Sequence, residues 1–390
     1  MIRSFFLRIE GNHRASRIMS VVSLALSVLA LLIIAFKWSA VTRIHPSNMT
    51  VLTTQADVER SHQSRSAIEF QHTRAPYFVK TGFYIHSLAF VNSSDVNITG
   101  YLWQKFPLDF PADRIGPIFP DAVNNSSNGL EKAYEQKGEE IGVAHDMIGW
   151  RFDVTIRQTF DYSKYPLDYP TVWLRLWSQE FSPRERGIVL EPDFEAYGDH
   201  TRSVFGLDNQ IVRGQWKIDE TFFSYNEMTY DTDFGFSSNN TNSTWREFYF
   251  NLGLTRKFID AFVINLVTLM LVALLVYAQV MTVSRQADLA ERFGFNAATV
   301  LAGCSSLLFI IVLSHVQIRK QFADSGLVYI EYWYLALYFM IFLSALNTYF
   351  FTSGRLRKDS LLLWNDNLIA KLLFWPLLLG ILALISLIKL

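Results

Sequence analysis

Five stretches of this chain carry no charged side chain for long enough to cross a lipid bilayer: Ile18–Phe36, Ala261–Ser284, Phe293–Ile318, Tyr332–Gly354 and Leu372–Ile388. A spanning helix needs about 20 mostly apolar residues, with a working range of about 17–25. A long polar, aromatic-rich segment separates the first stretch from the other four. The expected layout is one span, one large water-facing domain, and four spans joined by short links. Only 18% of the 390 residues are charged, against about 25% in an ordinary soluble domain. The 35 Lys and Arg nearly cancel the 36 Asp and Glu, so there is no basic surplus for a nucleic-acid backbone. The one cysteine, Cys304, excludes an internal disulfide and a Cys-rich metal site.

Charge asymmetry sets the orientation. The leader 1–17 holds Arg3, Arg8, Arg14 and Arg17 against Glu10, which puts it in the cytoplasm. The large domain then lies on the extracellular or periplasmic side of a cell membrane. Gly354–Lys371 falls in the cytoplasm, in agreement with Arg355, Arg357, Lys358 and Lys371. The segment 18–38 reads as a membrane anchor or a signal segment; the uncleaved anchor is favoured because the stretch exceeds the roughly 7–15 apolar residues of a cleaved signal peptide. Residues 39–76 read as a polar arm, with His45–Ser66 extended or irregular.

From 77 to 256 the pattern is short aromatic and β-branched runs broken by Asn, Asp, Ser, Gly and Pro. This predicts an antiparallel β-sandwich, with one short polar helix over Glu131–Glu140. Two related turns, Lys105–Pro111 and Lys164–Pro170, repeat an aromatic-Pro-x-Asp core. Residues 257–390 read as a four-helix transmembrane bundle. Within it, Gly294, Ala298, Leu301, Ser305 and Leu308 fall on one helical face. Such a stripe fits either tight helix–helix packing or a water path, with Leu301 as an apolar constriction and Glu291 at its cytoplasmic mouth.

In this order the features resemble the pentameric ligand-gated ion channels, the Cys-loop receptor superfamily, in a bacterial form without the loop cysteines. The motifs are Val79 to Ile85 with Tyr101-Leu102-Trp103, Ile118 to Asn124, Phe160–Leu174 around Tyr165-Pro166-Leu167-Asp168, Leu254-Thr255-Arg256, and Glu291-Arg292 with Leu301 beyond. The likeness covers about 77–390. It implies a homopentamer in a lipid bilayer, passing inorganic ions, with cation preference suggested by Glu291. The pore would be lined by helix 291–316 through Glu291, Gly294, Ala298, Leu301, Ser305 and Leu308. The gating junction would include Asp95, Tyr165, Pro166, Asp168, Arg256 and Tyr329, with Asp168 and Arg256 as an ion pair. Ligand-binding candidates are Trp103, Phe119, Trp177, Phe223, Tyr225 and Tyr230, for a small molecule or a proton; the other reading of these aromatics is interior packing. The proline common in the first channel helix is missing, and Gly294 and Ala298 stand where more polar residues are usual.

The competing class is a membrane-anchored periplasmic sensor that signals through its helices to a partner. No cofactor or metal is expected. The sequence has no His-Glu-x-x-His, no phosphate loop and no nucleophile elbow, so an enzyme is not expected.

Overall fold

The computed structural model describes residues 13–69, 76–123, 129–140, 143–178, 188–212, 216–232, 234, 243–257, 265–286, 291, 295–322, 326–353 and 365–390. The chain divides into a helical body, Met1–Thr42 with Asp161–Asp168 and Phe258–Leu390, and a strand body, Arg43–Phe160 with Tyr169–Lys257.

The helical body contains α1 (His13–Ser39), α3 (Val267–Thr282), α4 (Ala297–Gln321), α5 (Tyr329–Thr352) and α6 (Leu368–Lys389). Of these, α1, α4, α5 and α6 are long and apolar enough to cross a membrane. The described part of α3 covers 16 residues; the preceding part of the expected span, 261–264, lies outside the described residues. α1 packs along α6. Its inward residues Ser23, Ser27, Ala30 and Ile34 are spaced by four, three and four, which is a coiled-coil seam. Small side chains there let two backbones approach where water supplies no driving force. Ser23 Oγ donates to the Leu372 carbonyl at 2.6 Å.

The expected pore helix is corrected at its start. The continuous helix opens at Ala297, because Asn296 is extended (φ −135°) and its Oδ1 accepts from the Ala298 amide at 2.9 Å, an N-cap that satisfies an orphan donor. Glu291 therefore lies before the cap, and Gly294 lies outside the described residues.

The strand body has two sheets. One has the order β1 (Met49–Leu52), β10 (Trp216–Tyr230), β11 (Ser243–Arg256), β7 (Thr171–Ser178), β4 (Pro117–Ile118). The other runs β5 (Leu130–Glu140), β6 (Val143–Arg157), β3 (Asp95–Pro107), β2 (Tyr77–Phe90), β8 (Ile188–Pro192), with β9 (Leu207–Val212) also paired to β2. Period-two alternation sends Val172, Leu174 and Leu176 of β7 inward, and they share one apolar core with Phe83, Phe152, Phe223 and Phe250. Phe83 of one sheet stacks on Phe250 of the other at 5.2 Å and 13°. The pairing is antiparallel within both sheets except for β8 and β9, which run parallel to β2.

Two expectations fail here. Residues 131–140 form no helix; they belong to β5, paired along β6 from Leu130↔Phe152 to Glu140↔Val143. Their charges mark an edge strand, where exposed Lys and Glu block pairing with other chains. The arm is ordered: β1 pairs with β10, and α2 (Gln55–Glu69) follows. α2 starts where Asp57 accepts from the amides and hydroxyls of Thr53 and Thr54. Those bonds, opposed by slight desolvation, hold the Asp57 carboxyl down at about 2.

Candidate functional site

On the face of β7 opposite the core stand Trp173, Arg175 and Trp177. The neighbouring strand β11 brings Glu247 and Tyr249 to the same face, Tyr249 directly opposite Arg175. The β10–β11 hairpin adds Tyr230 near its tip. The result is a buried ionic cluster. Glu247 accepts from Trp177 Nε1 at 3.0 Å, Tyr230 OH at 2.5 Å, Tyr249 OH at 3.0 Å and Arg175 Nη1 at 3.3 Å. Its side chain is 3% exposed. Arg175 Nη2 reaches Asp121 Oδ1 at 2.5 Å, and its guanidinium lies 5.3 Å from the Trp177 ring centre. Arg175 Nε is buried without a hydrogen-bond partner.

Two carboxylates thus face one guanidinium, a formal charge of −1 for the three side chains. Burial, only partly opposed by Arg175, pushes the Asp121 carboxyl up, and the like charge of Glu247 adds to the rise. Burial acts to lower the Arg175 pKa, but Asp121 and Glu247 outweigh it and hold the guanidinium charged. Tyr230 and Tyr249 are raised by burial and by Glu247, so both stay protonated donors. Outside the carboxylates, Tyr230, Phe234 and Trp245 form a ring cluster with centroids 5.3–5.8 Å apart. An aromatic surround beside carboxylates suits a small organic cation.

Of the six aromatic candidates, Trp177 and Tyr230 join this cluster. Phe119, Phe223 and Tyr225 fill the interior, 2%, 0% and 3% exposed. Trp103 lies on the other sheet, its Nε1 bonded to Asp193 at 2.8 Å. Its indole covers Gly82, where any Cβ would sit 2.2 Å from the ring. Asp219 and Glu220 of β10 are engaged by Lys217 and Arg43.

Asp95 of the expected junction is fixed within the strand body. Arg157 grips it through Nε at 2.7 Å and Nη2 at 3.0 Å, with Asn92 at 2.9 Å; the Arg157 bond holds its carboxyl below the usual range. Arg256 is buried, its guanidinium 4.1 Å over the Trp216 ring.

In the helical body, the turn 161–168 sits among helices although it joins β6 to β7. The Tyr165–Pro166 bond is cis. Tyr165, 4% exposed, packs its ring 4.6 Å from Phe322 at the end of α4, and its hydroxyl accepts from Asn265 Nδ2 at 3.0 Å. Pro166 and Asp168 are buried beside it. The Tyr329 amide donates to the Ser163 carbonyl at 2.8 Å, and the Ile330 amide to the Tyr165 carbonyl at 3.2 Å. Tyr329 is fully buried; its hydroxyl meets Ser386 Oγ of α6 at 2.6 Å and accepts from Trp38 Nε1 of α1 at 2.9 Å. Next to it, the wholly buried Glu331 accepts from the Val328 amide at 2.8 Å and lies 3.3 Å from His315 Nε2 and 3.4 Å from Arg319 Nη1.

α4 turns Val300, Cys304, Leu307 and Ile311 inward. Its exposed side carries Ala298, Thr299, Ala302, Ser305 and Ser306 in the first turns, then Leu308, Phe309, Ile310 and Leu313. Three expected lining residues, Ala298, Ser305 and Leu308, are exposed there, and Leu301 is half-buried at the edge of that sector. Glu291 is exposed.

Arg175, Glu247 and Trp245 are not among the sequence candidates, and Asp121 lies only within the motif Ile118 to Asn124. The one available signal was a charged residue alternating with Trp173 and Trp177 on an aromatic strand. No protein-family model matches the sequence, and no curated protein matches it.

Proposed function

We propose that the chain is one subunit of a ligand-gated ion channel, a homopentamer in a cell membrane with the strand body on the extracellular or periplasmic side. The observation that carries this reading is the exposed side of α4. A helix apolar enough to span a bilayer presents Ala298, Thr299, Ala302, Ser305 and Ser306 over its first turns. Lipid gives no reason for that choice, whereas a water path shared by several copies does. Leu301, at the margin of the same sector, is the apolar constriction.

The ionic and aromatic cluster of Asp121, Arg175, Trp177, Tyr230, Trp245 and Glu247 is the ligand site, and its charge favours a small organic cation. Ligand binding acts by population shift: moving an equilibrium from 1:99 to 99:1 needs about 10⁴-fold tighter binding to the open form. The 161–168 turn supports this coupling, because a loop between two strands packs on Phe322 at the end of α4 and bonds the first residues of α5.

The test is recording from purified protein in a planar bilayer. Unitary currents are expected, with Leu301→Ser giving higher basal current by wetting the constriction. Silence from both proteins, or a particle without five-fold symmetry in projection, overturns the reading.

A further inference from the structure

The arm between α1 and β2 makes most of its ties to one element, the β10–β11 hairpin. At its start, Arg43 Nη1 bonds Glu220 Oε1 of β10 at 2.5 Å, and Nη2 donates to the Leu254 carbonyl of β11 at 2.8 Å. His45 sets its ring edge-on to Phe222 at 5.2 Å. The chain turns at Pro46, and β1 then pairs Met49↔Asn226 to Leu52↔Phe223, with the Glu227 amide donating to the Asn48 carbonyl. Leu52 and Val58 enter the common core. In α2 the Ser61 carbonyl accepts from Arg246 Nη1 at 2.9 Å, and Arg246 lies 5.0 Å over Tyr225. His62 Nε2 approaches Glu191 Oε1 at 2.8 Å and packs its ring on Phe78 and Tyr225.

Apart from His62, which also reaches Glu191 of β8 and Phe78 of β2, these ties fall on the hairpin that carries Tyr230, Phe234, Trp245 and Glu247. Arg246 separates Trp245 from Glu247 in sequence, so α2 holds a residue between two walls of the cluster. Behind the arm, Ala40–Thr42 lead directly back to α1.

We infer that residues 43–69 are a strap in cis that restrains the β10–β11 hairpin and thereby sets the ease with which the cluster admits its ligand. The inference rests on the ligand-site reading for its consequence, but the restraint can be measured by itself. Two variants address it in the full chain in lipid nanodiscs. Arg43→Ala with His62→Ala releases the strap. Met49→Cys with Asn226→Cys locks it, in a Cys304→Ala background, since directly opposed antiparallel residues suit a disulfide.

Amide hydrogen exchange is the readout. Release is expected to speed exchange in 222–230 and 243–250 at least about ten-fold while β3 and β6 keep their rates. The oxidised lock is expected to slow the same segments, and reduction to restore them. Parental rates in both variants, or acceleration spread evenly over both sheets, overturn the strap. If the release variant does not fold, the oxidised and reduced lock decide: equal rates overturn it.

Tetramethylammonium, followed by tryptophan fluorescence, separates the two claims. Absence of binding to the parent removes the ligand reading and leaves the exchange result standing. Binding with the same affinity in the oxidised and reduced lock overturns the strap's action on the site; at least about three-fold weaker binding in the oxidised form, near 0.6 kcal/mol by the free-energy relation, is the expected result.

Discussion

α1 and α4 are both long apolar helices with large exposed surfaces, yet they distribute the same residue types in opposite ways. α1 turns Ser23, Ser27 and Ala30 inward against α6 and shows Val21, Leu24, Leu31 and Leu32 outside. Over its first turns, α4 turns Val300 and Cys304 inward and shows Ala298, Thr299, Ala302, Ser305 and Ser306, with Leu308, Phe309 and Ile310 exposed beyond them. The first arrangement suits a helix whose outer surface meets lipid. The second suits a helix whose outer surface meets something else. β11 follows α1: its carboxylate Glu247 is enclosed and fully engaged. Inward polar groups should therefore matter for stability, and outward ones, on the proposed channel reading, for conduction.

The largest effect is expected where an inward polar group loses its partner. Arg175→Ala strands Glu247 beside Asp121 and should cost about 3–5 kcal/mol, read as a loss of thermal stability of the purified protein. An unchanged melting temperature would mean that the cluster is held by its aromatic rings alone. Next, Ser27→Leu forces bulk into the α1–α6 seam and should cost about 1–3 kcal/mol. The matched change on the other helix, Ser305→Leu, should alter stability by no more than about 0.5 kcal/mol while abolishing current. Equal destabilisation by the two leucines would erase the contrast between the helices.

A smaller effect concerns pH. The Asp121 carboxyl is raised above its ordinary 3.8, so its proton contributes stability fully below that value and the contribution is lost as pH rises through the folded-state pKa. Asp121→Asn should remove this slope, flattening the stability profile on the alkaline side of 3.8. A variant with the parental slope would assign the slope to another group.

Much of this was legible in the residues. Four of the five span positions were readable because lipid tolerates so few charges that their absence is informative over short distances; the described part of the second, Val267–Thr282, is shorter than a spanning helix. The sandwich was readable from alternation punctuated by turns. The run 131–140 was misread because an edge strand carries charge on both sides, which hides period two. The arm was misread because its order comes from Leu52, Val58 and Arg43 reaching distant strands. Trp177 and Tyr230 were visible as candidates, since large aromatics are conspicuous. Arg175 and Glu247 were not: a single charge on an alternating strand ordinarily faces water, and only the pairing of β7 with β11, together with the hairpin tip, encloses them.

The tyrosines of the 161–168 turn bear on how the strand body can be handled in isolation. A fragment cut at 43 and 257 would carry this turn away from Phe322, Asn265 and Tyr329, leaving bare Tyr165 and also Tyr162, which packs its ring 4.9 Å from Phe322. Such a fragment should self-associate through them, and replacing both with serine is the change that ought to keep it dispersed.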